Sequence, residues 1–162
     1  MAISEGMDEY LKPTEFCESD NGEIKEKARE LVKDAATQKD AALSIFHFVR
    51  DSIRFGFDFT DFKASYALKT RLGLCVHKPN LQIALLRAVG IPARSHRVGV
   101  KKETLQGIIS GFVYGVSPKV IDTHTWCECY LSGKWISCEA LFDKEVFDGM
   151  RGGHSCQSDS YH

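Results

Sequence analysis

The stretch that decides the fold runs from residue 73 to residue 94 and reads GLCVHKPNLQIALLRAVGIPAR. Leu81, Ala84, Leu85 and Ala88 recur at intervals of three and four, the spacing of one helix face. Gly90 followed by Pro92 supplies a stop, because glycine accepts the left-handed conformation at a helix end and proline cannot extend the ladder. Pro79 has no N–H to lose in a first helical turn. The spacing predicts a long buried helix from Cys75 to Val89, opened by a cysteine. Unpaired N–H groups and the positive end of the macrodipole both favour a thiolate at such a place. The Cys75 N–H would also be a natural donor to an oxyanion.

Upstream of that helix the chain reads as helical. Asp20-Asn21-Gly22-Glu23 offers a capping box with Asp20 as N-cap and Glu23 three residues on. A helix is expected to follow, burying Ile24, Ala28, Leu31 and Val32. A second starts near Lys39 and buries Ala42, Ile45, Phe46 and Val49. Ile53, Phe55, Phe57 and Phe59 then alternate with other residues, the period of a short extended segment. A short helix is expected over Ala64 to Thr70, ended by Gly73. Downstream, Ala93 to Val100 reads as a strand, and a further short strand is expected around Phe112 to Tyr114. His124 to Leu131 and Lys134 to Cys138 read as strands joined at Ser132-Gly133, a hairpin signal. Helices first and strands later argue for an α+β fold rather than an alternating one.

The chain has 162 residues, which predicts a single domain over 1–162, with loose ends at 1–19 and 148–162. Its formal net charge of −1 lacks the basic excess of a nucleic-acid binder, so no nucleic-acid partner is expected. No apolar run approaches the roughly 18 residues of a membrane helix, so no membrane partner is expected either. The first residues, MAISEGMDEYLKP, show no basic and apolar leader pattern. The six cysteines therefore read as reduced thiols, and a cytoplasmic location is expected. Neither G-x-x-x-x-G-K-[ST] nor H-E-x-x-H occurs, and no cofactor is expected. Cys127, Cys129 and Cys138 share a strand face in the hairpin, which raises a zinc reading. Their spacing does not match C-x₂₋₄-C and a fourth ligand is missing, so packing against the core is preferred and no metal site is assigned. Arg151 to Cys156 faintly matches an arylamine acetyltransferase nucleophile motif, but the cysteine is one residue late and the reading is rejected.

Three blocks carry a family resemblance: G-x-C at 73–75, L-L-R-A-x-G-I-P-A-R at 85–94, and H-x-W-x-E-x-Y-L-x-G-x-W at 124–135. In this order they resemble the transglutaminase-like cysteine enzymes, over residues 39–143, and the small bacterial members most. The resemblance implies a papain-like α+β fold, in which a helix bearing the nucleophile packs on an antiparallel sheet bearing a histidine and an acid. It implies Cys75 as nucleophile and His124 as general base. The family acid is an aspartate, often before proline, after the second tryptophan; this chain has Glu139 followed by Ala140. Val76, His77 and Pro79 also depart from the family pattern after the nucleophile. His77 and Trp126 are candidates to line the substrate entrance.

Hairpin parity bears on the acid. With Ser132 and Gly133 as the loop, position 124 faces 141, and its diagonal neighbours are Glu139 and Asp143. Diagonal neighbours lie roughly 7–8 Å apart, within reach of a long side chain. Glu139 is the preferred acid, Asp143 the alternative, and Asp122 a weaker candidate on the same strand face. Trp126 and Trp135 are expected to be mostly buried beside His124, on the face toward the helix of Cys75. The function expected is cysteine-dependent hydrolysis or acyl transfer on a peptide, protein or small acyl substrate, of peptidase or amidase type. The alternatives are an inactive binding module of the same fold, and a carrier-linked acyltransferase or cyclase.

Overall fold

The helix expected from residues 73–94 is α4, His77–Ala88, and it is buried on almost every side. Residues 6–106, 111–116 and 119–142 are described by the computed structural model. Leu81, Ile83, Ala84, Leu85 and Leu86 are each no more than 1% exposed. One side of α4 meets α1 (Gly22–Val32), α2 (Gln38–Ser52) and α3 (Ala64–Thr70), and the other meets the sheet. Burying a Leu or Ile side chain contributes about 1.5–3 kcal/mol. This one helix thus binds the helical half to the β half.

Its C-terminus is a Schellman stop. Ile91 N–H donates to Leu86 O and Gly90 N–H to Arg87 O, with Gly90 at φ 79°. Arg87 then reaches past the stop, its Nε and Nη2 donating to Ala93 O and its Nη1 to Lys12 O. The LLRAVGIPAR run is therefore a helix end, its clamp and the entry to β3 in consecutive residues.

The three-stranded antiparallel sheet has the order β3-β4-β5, with β3 at Ala93–Lys101, β4 at Val120–Leu131 and β5 at Lys134–Cys138. Tyr130 faces Trp135 and Cys127 faces Cys138, the register read from the Ser132-Gly133 loop. Both loop residues have positive φ, 53° and 83°, as a two-residue hairpin turn of the primed type requires. A second sheet is a parallel pair of β1 (Arg54–Phe55) and β2 (Leu72–Gly73).

Several expectations are corrected. The cap of α1 is Asn21, whose side chain accepts from Glu23 N and Ile24 N, so Glu23 sits one position too early for the reciprocal capping-box bond. α3 ends at Arg71, in the left-handed region at φ 56°, and Gly73 belongs to β2 instead. The extended segment after Ile53 is a strand only over Arg54–Phe55. Residues Gly111–Val116 form a helix, α5, rather than a strand. The N-terminal segment is also not loose over residues 6–19. A 3-10 turn at Asp8–Leu11 sets Tyr10 edge-on to Trp135 at 4.9 Å, and Cys17 is buried. The tail expected to be loose at 148–162, with His154 and Cys156, lies outside the described residues.

Candidate active site

Cys75 does not begin the regular helix. It stands in the turn before α4, where Lys78 N–H already donates to Leu74 O and Asn80 N–H to Val76 O. The carbonyl of Cys75 would normally accept from residue 79, which is proline and has no N–H. Thr125 Oγ1 donates to that carbonyl instead. One side chain of β4 thus replaces a helix bond and fixes the cysteine turn to the strand that carries His124.

The turn is supported from beneath by residues the sequence reads as ordinary helix surface. His77, expected at the site entrance or in solvent, is fully buried. Its Nδ1 accepts from Leu74 N–H at 3.2 Å, and its ring lies 5.0 Å from that of Phe62. Burial holds its pKa below the ordinary value despite the Asp61 main chain and the Asp58 and Asp61 charges. A neutral ring with an accepting Nδ1 is the form this geometry demands. Gly73 leaves the space for it: a Cβ there would lie 2.6 Å from His77 Cβ. Lys78, also fully buried, donates from Nζ to Ile53 O at 2.7 Å and Arg50 O at 3.2 Å. These are carbonyls at the C-terminal end of α2, where a cation opposes the helix dipole. No sequence signal marks either role, because a His or Lys in a first helical turn normally reaches water.

His124 arrives from β4. It pairs with Val98 at the last regular position before a bulge, across which the register skips from Val98–His124 to Val100–Ile121. Such a skip bends and re-aims a strand. The His124 ring hydrogen-bonds the Cys75 side chain, and its Nε2 lies 2.8 Å from Glu139 Oε1. Glu139 occupies Nε2, which leaves Nδ1 for the sulfur. The bond to Cys75 and then the bond to Glu139 push the His124 pKa up to about 9, against partial burial. Glu139 follows the last residue of β5 and is held by its neighbours, since Ala140 and Leu141 are both buried. The diagonal contact expected from hairpin parity is therefore made by Glu139. Asp143 lies outside the described residues, as does the side chain of Asp122.

Trp126 lines His124 at 5.9 Å between rings, and stacks on His96 at 4.7 Å and 12°. Both tryptophans share the parity of His124, as expected, but on the face opposite α4. The α4 face of the hairpin is Cys127, Cys129, Leu131, Ile136 and Cys138, which join the core. The tryptophans are half-buried, and Trp135 sits at the hairpin end with Tyr10, Tyr130 and Arg94 rather than beside His124. The reason is occupancy: α4 already fills the other face with leucines, and only thiols and aliphatic side chains smaller than an indole stand beneath it. On the tryptophan face Glu128 is buried, yet Arg94, at 2.8 Å, His96 and Ser137 hold its carboxyl below the ordinary range against that burial.

The thiols separate into two kinds. Burial raises the pKa of Cys17 and of Cys127, and Cys129 is raised by its hydrogen bond to Cys138 and by burial. Cys129 and Cys138 sulfurs lie 3.4 Å apart. Cys75 is half-buried and placed beside an imidazole. Among the described residues no helix is long and apolar enough to cross a membrane.

Comparison with known proteins agrees with this fold. The family model described as the transglutaminase-like superfamily matches residues 25–140. Among solved structures, a candidate cysteine protease from Cytophaga hutchinsonii is 24% identical with a TM-score of 0.67, over 85% of this chain and 43% of that one. The periplasmic domain of TgpA from Pseudomonas aeruginosa is 17% identical with a TM-score of 0.60, over 93% of this chain and 50% of that one. A candidate protease from Parabacteroides distasonis is 14% identical with a TM-score of 0.54, over 82% of this chain and 25% of that one. The chain thus spans half or less of the structures it resembles, and at these identities the likeness is one of fold. No curated protein sequence matches the chain.

Proposed function

The chain belongs to the transglutaminase-like superfamily of papain-like cysteine enzymes, and from that premise we propose that it cleaves or transfers acyl groups through a thioester on Cys75. The observation that carries this reading is the chain of contacts Cys75–His124–Glu139, with His124 Nε2 at 2.8 Å from the carboxylate. A thiol, an imidazole and an orienting acid in hydrogen-bond series are the parts that nucleophilic catalysis needs.

The reaction divides into two halves. Cys75 thiolate attacks the acyl carbonyl while His124, protonated, stands beside it. The negative charge that forms on oxygen develops at the N-terminal end of α4, where the helix dipole favours an anion. His124 gives its proton to the leaving amine, the C–N bond breaks, and a thioester to Cys75 remains. Water, or a second amine, then loses a proton to His124 and attacks the thioester. Collapse breaks the C–S bond and releases the acid or the new amide, and Cys75 leaves as thiolate beside an imidazolium. Glu139 keeps the imidazole in one tautomer and stabilises its cation throughout. Trp126 walls one side of the imidazole, and the acyl donor enters past it; His77 acts from beneath, as a prop of the cysteine turn.

We take the donor to be a peptide amide, in line with the protease names of two structures of the same fold, and water to be the acceptor. We place the chain in the cytoplasm on its free thiols. The inactive-module reading rested on a glutamate in place of the family aspartate; the 2.8 Å contact of Glu139 weighs against it. The decisive experiment is mass spectrometry of the protein quenched during turnover with peptide amides, esters and thioesters. An acyl mass on Cys75 supports the reading. Turnover without such an adduct, or undiminished in Cys75→Ala, refutes it.

A further inference from the structure

A file of phenylalanines leads outward from the candidate site. The rings of Phe142 and Phe55 are 5.3 Å apart, those of Phe55 and Phe57 6.0 Å, and those of Phe57 and Phe59 6.5 Å. Phe142 and Phe55 are half-buried, whereas Phe57 and Phe59 are 56% and 70% exposed. None of the four belongs to the hydrophobic core. Exposed large rings scattered singly need no explanation, but a contiguous file of them marks a surface that binds something.

The inner end of the file is fixed at the site on both sides. Phe142 lies three residues beyond Glu139, and Phe55 faces Gly73 across the β1–β2 pair. Gly56 N–H donates to Gly73 O at 3.2 Å, two residues before Cys75. A Cβ on Gly56 would lie 2.5 Å from Leu72 Cδ1, so the Leu72 side chain packs directly over this glycine. Two residues of chain span at most about 7 Å, so Gly73, the strand partner of Phe55, stands within that backbone distance of Cys75. The outer rings are 6.0 and 6.5 Å apart, near the ~6.7 Å between alternate residues of an extended peptide. Asp58 stands between Phe57 and Phe59 in sequence, Asp61 follows two residues beyond Phe59, and both oppose an acidic occupant.

We propose that Phe142, Phe55, Phe57 and Phe59 form a specificity subsite for a large apolar or aromatic side chain of an extended peptide, two to three residues from the carbonyl that Cys75 attacks. The proposal rests on the cysteine-enzyme reading for its position, and its test separates the two.

The probes are blocked dipeptidyl chloromethyl ketones, on which the Cys75 thiolate displaces chloride to form a stable thioether. One carries Phe and one Gly at the residue preceding the alanine that bears the ketone. The Phe probe is expected to label Cys75 at least about tenfold faster than the Gly probe, the factor that partial burial of one aromatic side chain supplies. In Phe57→Ser/Phe59→Ser the ratio should fall toward one. A wild-type ratio near one, or an unchanged ratio in the double variant, overturns the subsite while the nucleophile stands. Faster labelling by a linear alkyl ketone than by the Phe probe also overturns it, in favour of a lipid-type occupant. If Cys75 labels no faster than the other thiols, the cysteine reading fails. Reversible binding of N-acetyl-Phe-Ala-amide against its Gly counterpart to Cys75→Ala, with and without the two Ser substitutions, then decides the subsite alone. Equal affinities overturn it, and a Phe preference lost in the Ser variant supports it.

Discussion

Replacing Glu139 by Gln tests the geometry at its most specific point. The amide keeps the shape and an oxygen that can accept from His124 Nε2, and removes only the charge. A hydrogen bond to a charged group contributes about 1.5–3 kcal/mol and a neutral one about 0.5–1.5, so the exchange costs the imidazolium roughly 1–1.5 kcal/mol. The Glu139 side chain is 44% exposed, which places the loss at the low end of that range. At about 1.4 kcal/mol per pKa unit, His124 should titrate roughly one unit below its value of about 9. The largest single cause of the upward shift is the bond to Cys75, which should remain. NMR of the imidazole carbons as a function of pH reads the change directly. Turnover should fall by about tenfold, because the tautomer is kept and only the cation is less stable. An unmoved His124 midpoint in Glu139→Gln, with a moved one in Asp143→Asn, would refute the assignment and transfer the role to Asp143.

Four further outcomes are expected. Cys75→Ala should abolish turnover and leave the circular dichroism of the wild type essentially unchanged. His124→Ala should lower turnover by about two to four decades; an activity within a few-fold of wild type would remove it from the mechanism. Thr125→Val should lower both stability, by about 1 kcal/mol, and Cys75 reactivity, because the Cys75 carbonyl loses its donor. Adding Pro79→Ala should restore part of that stability, since residue 79 would then offer an N–H to the same carbonyl; no recovery in a urea melt would refute the substitution of one bond for the other. Finally, His124 has a raised pKa, so its contribution to stability is full below its ordinary value of about 6.5 and is lost as pH rises through about 9. Urea midpoints should decline across that window in wild type and less in His124→Ala.

Much of this protein was legible in residues 73–94 and 124–139. Helical period, a Gly-Ile-Pro stop and a Ser-Gly turn depend on neighbours a few residues away, and each formed where its pattern stands. The register that follows from the turn carried Glu139 to His124 across the hairpin. Parity also put both tryptophans on the face of His124, but not on the side of the sheet that faces α4. Alternation says which residues share a face and is silent on which face is covered. The α1 cap was misread by one residue because Asp20 and Asn21 are equally competent, and the helix phase that buries Ile24 is a matter of packing.

What the sequence determined by itself is therefore α1 to α4 and the strands β3, β4 and β5, the order in which they come and the pair of blocks that bear Cys75 and His124. Tertiary structure alone decided that His77 and Lys78 lie inside, that Thr125 replaces the donor Pro79 lacks, and that Tyr10 covers Trp135. The physical reason is range. A helix or a turn is stabilised by bonds that close within four residues, so local chemistry suffices to specify it. The partners of His77, Lys78 and the Cys75 carbonyl come from segments that meet only when the chain has folded. A buried ammonium is tolerable only because Arg50 and Ile53 present carbonyls at the end of another helix.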